Sequence, residues 1–147
     1  MHKCFLSPIQ NFDLIESFLY FLFFLLKKNI KNFLLDQNFV SGIGNIYASE
    51  ILFLCKINPE KSVGKIKKKD YKKIIYNSRK VLYDAISKGG SSIRDFKNVN
   101  GVRGNFQKNF KVYQREGLAC KRLLCNGQIQ KKNISNRSTF FCNNCQK

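Results

Sequence analysis

The sequence is 147 residues long and 44% hydrophobic, enough for one modest core with a small appendage and too apolar for a disordered tail. Its 27 Lys and Arg against 9 Asp and Glu give a formal net charge of +18. That surplus argues against a cationic partner and for a polyanion, nucleic acid first and an anionic membrane surface second.

In chain order, residues 1–11 offer only Pro8, an irregular lead-in. Residues 14–26, LIESFLYFLFFLL, are almost wholly apolar but fall short of the ~20 residues of a membrane span and contain Glu16. Lys27 and Lys28 follow where a secretory signal would carry small residues. The expectation is a buried helix starting near Asp13 and ending around residues 27–29, with no membrane partner and a cytoplasmic location. Apolar nearly all round, that helix needs a neighbouring surface to pack on.

Residues 30–39 place Lys31 beside a short apolar patch. The stretch 34–50, LLDQNFVSGIGNIYASE, then sets the pair Asp36-Gln37 ahead of Gly42-Ile43-Gly44-Asn45. Two glycines one residue apart let the backbone turn tightly and approach a ligand closely. Asn45 stands at a helix entry, where N–H groups and the helix dipole favour an anion such as phosphate. This is not the dinucleotide-binding GxGxxG, because no third glycine follows.

The spacing predicts a helix from Asn45 to about Lys56 that buries Ile51, Leu52 and Cys55, stopped by Asn58-Pro59. Residues 60–69 form a turn-rich connection with Gly64 and a cluster at Lys65, Lys67, Lys68 and Lys69. A third helix follows, its stripe read as Tyr71, Ile74, Ile75, Leu82, Ala85 and Ile86, with Gly89-Gly90 ending it. Residues 91–117 lack helical period and carry Arg94, Lys97 and Arg103, a surface loop suited to recognition. Within them, residues 110–114 alternate enough to read as a short strand.

Four of the six cysteines lie in the last 28 residues. Cys120 and Cys125 are separated by four residues, Cys142 and Cys145 by two, with sixteen between the pairs. Two close pairs of this kind predict a tetrahedral four-thiolate Zn2+ site, one ion, structural because four protein ligands leave no open position. The segment between them would return as a β-hairpin, with strands at 129–134 and 138–141 and residues 135–137 near the tip. Cys55 reads as a core residue and Cys4 has no partner.

The runs LLDQNFVSGIGNIYASEILF, GGSSIRDF, NFQKNFKVYQREGLAC and RSTFFCNNCQ together resemble bacterial formamidopyrimidine-DNA glycosylases and their endonuclease VIII relatives, in order and spacing, from about Leu6 to Lys147. The resemblance implies a mainly α fold. Residues 1–116 would form a helix–two-turn–helix DNA-binding domain whose loop 91–107 closes over the extruded base, and residues 117–147 a small β-hairpin zinc finger. It implies damaged double-stranded DNA as partner. Lys27, Lys31, Asn45 and Arg137 would be DNA-binding residues, with Arg137 also carrying a catalytic role in δ-elimination. Function would be that of a base-excision-repair glycosylase and abasic-site lyase acting on oxidised purines.

Two departures stand out. The family usually has two residues between its first cysteines, not four. Its N-terminal β-sandwich, with a proline nucleophile and adjacent glutamate, has no counterpart here, since the chain begins Met1-His2-Lys3. The isolated chain is therefore expected to bind DNA with glycosylase activity lost or very weak, and a separate chain supplying that domain is a candidate partner. A non-enzymatic, zinc-containing nucleic-acid-binding module is the alternative; a ribosomal version of it sits poorly with RSTFFCNNC.

Overall fold

The computed structural model describes residues 27–90 and 105–147. The expected apolar helix at 14–26 and most of the loop at 91–107, with Arg94, Lys97 and Arg103, lie outside the described residues. No helix among the described residues is long and apolar enough to cross a membrane.

The chain order is α1 (Ile30–Leu35), α2 (Asn45–Cys55), α3 (Lys68–Ser87), β1 (Ile129–Ile134) and β2 (Arg137–Cys142). Short 3-10 turns occupy Val63–Lys65 and Phe106–Asn109. The outcome is a mainly helical fold with a C-terminal hairpin, as the sequence predicts.

Helix α1 has only six residues, too few to stand alone. Its orphan amides are met from outside: the Asn29 side chain accepts from Asn32 N at 2.8 Å, Ile30 N donates to Lys61 O at 2.8 Å and Lys31 N to Pro59 O at 3.2 Å. Two tight turns then lead to α2. Asp36 O accepts from Phe39 N and Val40 N in the first. In the second, Gln37 accepts from Gly42 N at 3.2 Å and donates to Ile43 O at 3.3 Å. Gly42 takes φ +85°, a left-handed conformation that a side chain would strain.

Helix α2 is the centre of the molecule. Ala48, Ile51, Leu52, Phe53 and Cys55 are buried on several of its faces, together with Ser49 and Glu50. It ends where Lys56 turns left-handed at φ 61°, ahead of Pro59 rather than because of it.

Helix α3 runs for twenty residues but buries only Ile74, Val81 and Ala85. The expected stripe is thus corrected: Ile75 and Ile86 are 43% and 76% exposed, and Val81 takes the core position. At about 100° per residue, Ile74, Val81 and Ala85 share one narrow face, and Ile75 lies a quarter turn away. Gly89 and Gly90, at φ 71° and 81°, close the helix, with Gly90 N donating to Ala85 O at 2.8 Å.

The strand expected at 110–114 is absent. No neighbouring strand meets its amides; instead Lys111 N, Val112 N and Tyr113 N all donate to the Glu50 carboxylate, at 2.8, 3.0 and 2.9 Å. Burial raises the Glu50 carboxyl above its ordinary value, with these three amides pulling the other way. The same segment carries an edge-to-face chain of rings, Tyr47–Phe106–Phe110–Tyr113–Phe140, with centroids 5.0 to 5.8 Å apart. These rings join the helical core to the hairpin.

In the hairpin β1 and β2 pair antiparallel, Ile129 opposite Cys142 and Ile134 opposite Arg137. Ser135 and Asn136, at φ 49° and 59°, make the two-residue turn that matches strand twist. Arg137 is therefore the first residue of β2, not part of the turn.

Candidate nucleic-acid interface and metal centre

The start of α2 is open. Gly44 is its N-cap in extended backbone and offers no side-chain cap, and a Cβ built there would meet nothing within 4 Å. With no side-chain cap, the first-turn amides are of the kind that favour an anion. Asn45 is the first helical residue. Its Nδ2 donates to Ser138 O at 2.9 Å, which leaves the second amide hydrogen of Nδ2 for another acceptor. Its Oδ1 is buried without a hydrogen-bond partner among the described residues.

Lys31, for which the resemblance implies a DNA-binding role, is fully buried. Its Nζ donates to Thr139 Oγ1 and, at 3.4 Å, to Ser138 O. Burial, and secondly the charge of Arg137, lower its pKa from the ordinary 10.5 to about 8. Helix α1 and strand β2 are therefore joined through a lysine lying behind an exposed arginine.

Arg137 is exposed and lines an open cavity of about 280 Å³ with Lys28, Asn32, Leu35, Asp36 and Ser135. Within this cleft Lys28 pairs with Asp36 at 2.6 Å and Asn32 Nδ2 donates to Ser135 Oγ at 2.6 Å. The structure thus brings Lys31, Asn45 and Arg137 together around one stretch of β2. Lys27 is exposed ahead of α1 and takes no part in that cluster. Sequence reasoning missed Asn32, Thr139 and Glu50. The first two signal nothing until the hairpin docks, and Glu50 reads as one more helix-surface acid until the amides that donate to it are counted.

The four cysteines converge at the other end of the hairpin, all four Sγ atoms within 4.8 Å of one another. Cys120 and Cys145 lie 3.9 Å apart, Cys125 and Cys142 3.7 Å. A disulfide needs about 2.05 Å between sulfurs. Tetrahedral thiolates at ~2.3 Å from a zinc ion are about 3.8 Å apart, so the spacing fits a metal. The turns are built for this closeness: a Cβ on Gly127 would come within 2.6 Å of Cys142 Sγ. Around the ring of thiols the environments differ. The Gly127 N–H holds Cys125 down at about 7, and burial pushes Cys120 up to about 12.

The first knuckle accommodates its four intervening residues by turning outward. Arg122 stacks on the Phe53 ring at 4.7 Å and donates to Phe53 O at 2.6 Å. Leu123 and Leu124 are left 88% and 98% exposed, with Leu124 at φ 57°.

Comparison with known proteins adds three findings. Residues 13–97 match the sequence profile of the Formamidopyrimidine-DNA glycosylase H2TH domain. Formamidopyrimidine-DNA glycosylases of Roseobacter denitrificans and Ruegeria sp. are 46% and 42% identical over 141 residues, covering 96% of this chain and 50% of each relative. The Lactococcus lactis Fpg in complex with an abasic site containing DNA matches at TM-score 0.80 and 36% identity, over 90% of this chain and 48% of that one. The same protein with a FAPY-dG containing DNA gives 0.79 at 36% identity, over 90% and 47%. The chain spans about half the length of the curated relatives it matches.

Proposed function

This chain belongs to the formamidopyrimidine-DNA glycosylase family, and from that premise we propose that it is the DNA-holding portion of a base-excision-repair glycosylase and abasic-site lyase acting on oxidised purines such as 8-oxoguanine and formamidopyrimidine. The observation that carries the reading is the convergence of Arg137, Asn45 and the open start of α2 on one side of β2, with the cation of Lys31 behind them. Helix-terminal amides and a cationic fork grip phosphates without reading sequence, which suits a protein that finds a lesion rather than a base order. Asn45 and Arg137 would meet phosphates beside the damaged nucleotide, Lys27 a phosphate further along. Arg137 would also serve the δ-elimination step, while the damaged base leaves the stack.

Cys120, Cys125, Cys142 and Cys145 would hold one zinc ion. It would supply folding energy and, with no open coordination position, no chemistry on DNA. Its place is to keep β2, and so Arg137, on the face of α2.

The test is binding by the purified 147-residue chain, followed by fluorescence anisotropy. The probes are a duplex carrying a stable abasic-site analogue, one carrying 8-oxoguanine, and an undamaged duplex. The expected result is preference for the lesion duplexes with log K falling as log salt rises, by about 0.9 per phosphate held. Equal affinity for damaged and intact duplex would favour a non-enzymatic nucleic-acid-binding module. Salt-insensitive binding would end the phosphate reading altogether.

A further inference from the structure

We infer that Lys31 and Thr139 act on DNA through Arg137, as positioning residues that pin the backbone of β2 where that arginine leaves it, and that Lys31 does not itself touch the DNA. The inference rests on the DNA-holding reading above and assigns the two residues a role within it.

The hydrogen bonds run in one direction through buried atoms. Lys31 Nζ donates to Thr139 Oγ1, and Thr139 Oγ1 in turn donates to Arg137 O at 3.1 Å. Lys31 Nζ also reaches Ser138 O at 3.4 Å, the same oxygen that accepts from Asn45 Nδ2 at 2.9 Å. Two successive carbonyls of β2, those of Arg137 and Ser138, are therefore fixed by side chains from α1, α2 and β2 itself. Lys31 and Thr139 both have 0% exposed surface, so neither is placed to meet a phosphate, while Arg137 beside them is exposed.

An ammonium is not buried without cause. Its desolvation is unfavourable unless its hydrogens are used, and two of the three are used here on atoms that set the position of Arg137. A neutral, apolar side chain could fill the same volume, but it could not hold a carbonyl and a hydroxyl at once. Asn45 extends the logic: one backbone oxygen ties it to Lys31, so the two DNA-facing groups, Asn45 and Arg137, share a single support. A phosphate approaching Arg137 would also relieve the repulsion between the two cations.

The deciding experiment is a double-mutant cycle on the full chain. Kd for the abasic-analogue duplex is measured against salt for Lys31→Met, Thr139→Val, Thr139→Ser, Arg137→Ala and the combinations with Arg137→Ala. Lys31→Met and Thr139→Val are each expected to raise Kd about tenfold, the scale of a charge-assisted hydrogen bond. In the Arg137→Ala background each should raise it less than about twofold, because the side chain they position is gone. Thr139→Ser keeps the hydroxyl and should bind like the unaltered chain. The salt slope should fall by about one in Arg137→Ala and no further in the double mutant with Lys31→Met. A second fall of about one, or losses that multiply, would show Lys31 holding its own phosphate and overturn the inference. Should Lys31→Met fail to fold, Thr139→Val decides: affinity equal to the unaltered chain overturns the inference just as firmly. Absence of binding by the unaltered chain would instead overturn the DNA reading on which all of this rests.

Discussion

In the helical region Ala48, Ile51, Leu52 and Val63 have 0% of their surface exposed, whereas in β1 four consecutive residues, Gln130 to Asn133, face solvent. The helices are held by apolar burial spread over α1, α2, α3 and the turns between them. The hairpin has a far smaller cluster, Val112, Ile129, Phe140 and Cys142, completed by Phe53 from α2. A lone two-stranded hairpin is marginal in water. What completes it is the ring of four thiols at one end and the Lys31, Asn45 and Asn32 side chains at the other. The contrast teaches where rigidity is needed: the helices would fold for their own sake, but the hairpin is shaped from outside to present Arg137.

The largest expected effect comes from removing the metal. If the four cysteines hold zinc as proposed, chelation, or Cys142→Ser, takes away binding free energy that serves as folding energy for the finger, about 10 kcal/mol or more for full loss of the ion. Amide exchange should show β1 and β2 losing protection while α2 and α3 keep theirs, and DNA affinity should fall with the hairpin. Uniform loss across helices and hairpin would break the comparison, since it would mean the two regions fold as one unit.

Helices α2 and α3 were legible, whereas α1 was not, because six residues are too few to show a period. Asn45 to about Lys56 was set by Ile51, Leu52 and Cys55, and the end of α3 by Gly89 and Gly90. The cysteine pairs, too, were legible from spacing alone. The stripe of α3 was not, because Ile74 and Ile75 are equally apolar and only packing against α2 selects between them. Nor was the segment at 110–114: alternation suits a strand, and nothing local announces that its amides go to Glu50, some sixty residues earlier. Lys31 illustrates the same limit at the candidate site. A lysine in a basic chain reads as a surface contact, and its burial is decided by Thr139 more than a hundred residues later.

Next in size is the seam between the two regions. Glu50→Ala would leave the amides of Lys111, Val112 and Tyr113 without their acceptor, at roughly 1–3 kcal/mol for each one left buried and unpaired. A loss on the order of 3 kcal/mol or more in denaturant unfolding is expected, with Glu50→Gln intermediate because one oxygen remains. A loss below 1 kcal/mol would mean that water replaces the carboxylate and that the ring chain alone holds the seam.

A smaller effect should follow pH. Lys31 titrates at about 8 in the folded chain against an ordinary 10.5, so between those values the unfolded chain holds a proton that the folded chain has released. Stability attributable to this group therefore rises with pH across that window. DNA affinity should move the other way, by on the order of 1 kcal/mol, as the cation behind Arg137 is lost. Opposite slopes for unfolding midpoint and for DNA affinity between about pH 7.5 and 9.5, so that midpoint and Kd both rise, each flattened in Lys31→Met, are the expected outcome. Parallel slopes would place the titrating group elsewhere.

The smallest effect tests how much backbone strain the metal end of the hairpin carries. Leu124 sits at φ 57° with 98% of its surface exposed, so it has a left-handed backbone and almost no packing to compensate. A non-glycine residue in that conformation costs about 1–2 kcal/mol. Leu124→Gly removes the strain but admits a more flexible unfolded chain, at roughly 0.5–1 kcal/mol. The net expectation is a gain of about 0.5–1 kcal/mol in the metal-loaded protein, read as a higher thermal midpoint for the hairpin with metal affinity unchanged. Because Arg122 rather than Leu124 anchors this knuckle to Phe53, the substitution should leave the seam intact. A loss of stability would show that the freedom glycine adds to the unfolded chain outweighs any strain released, and the knuckle would then not count as a strained edge.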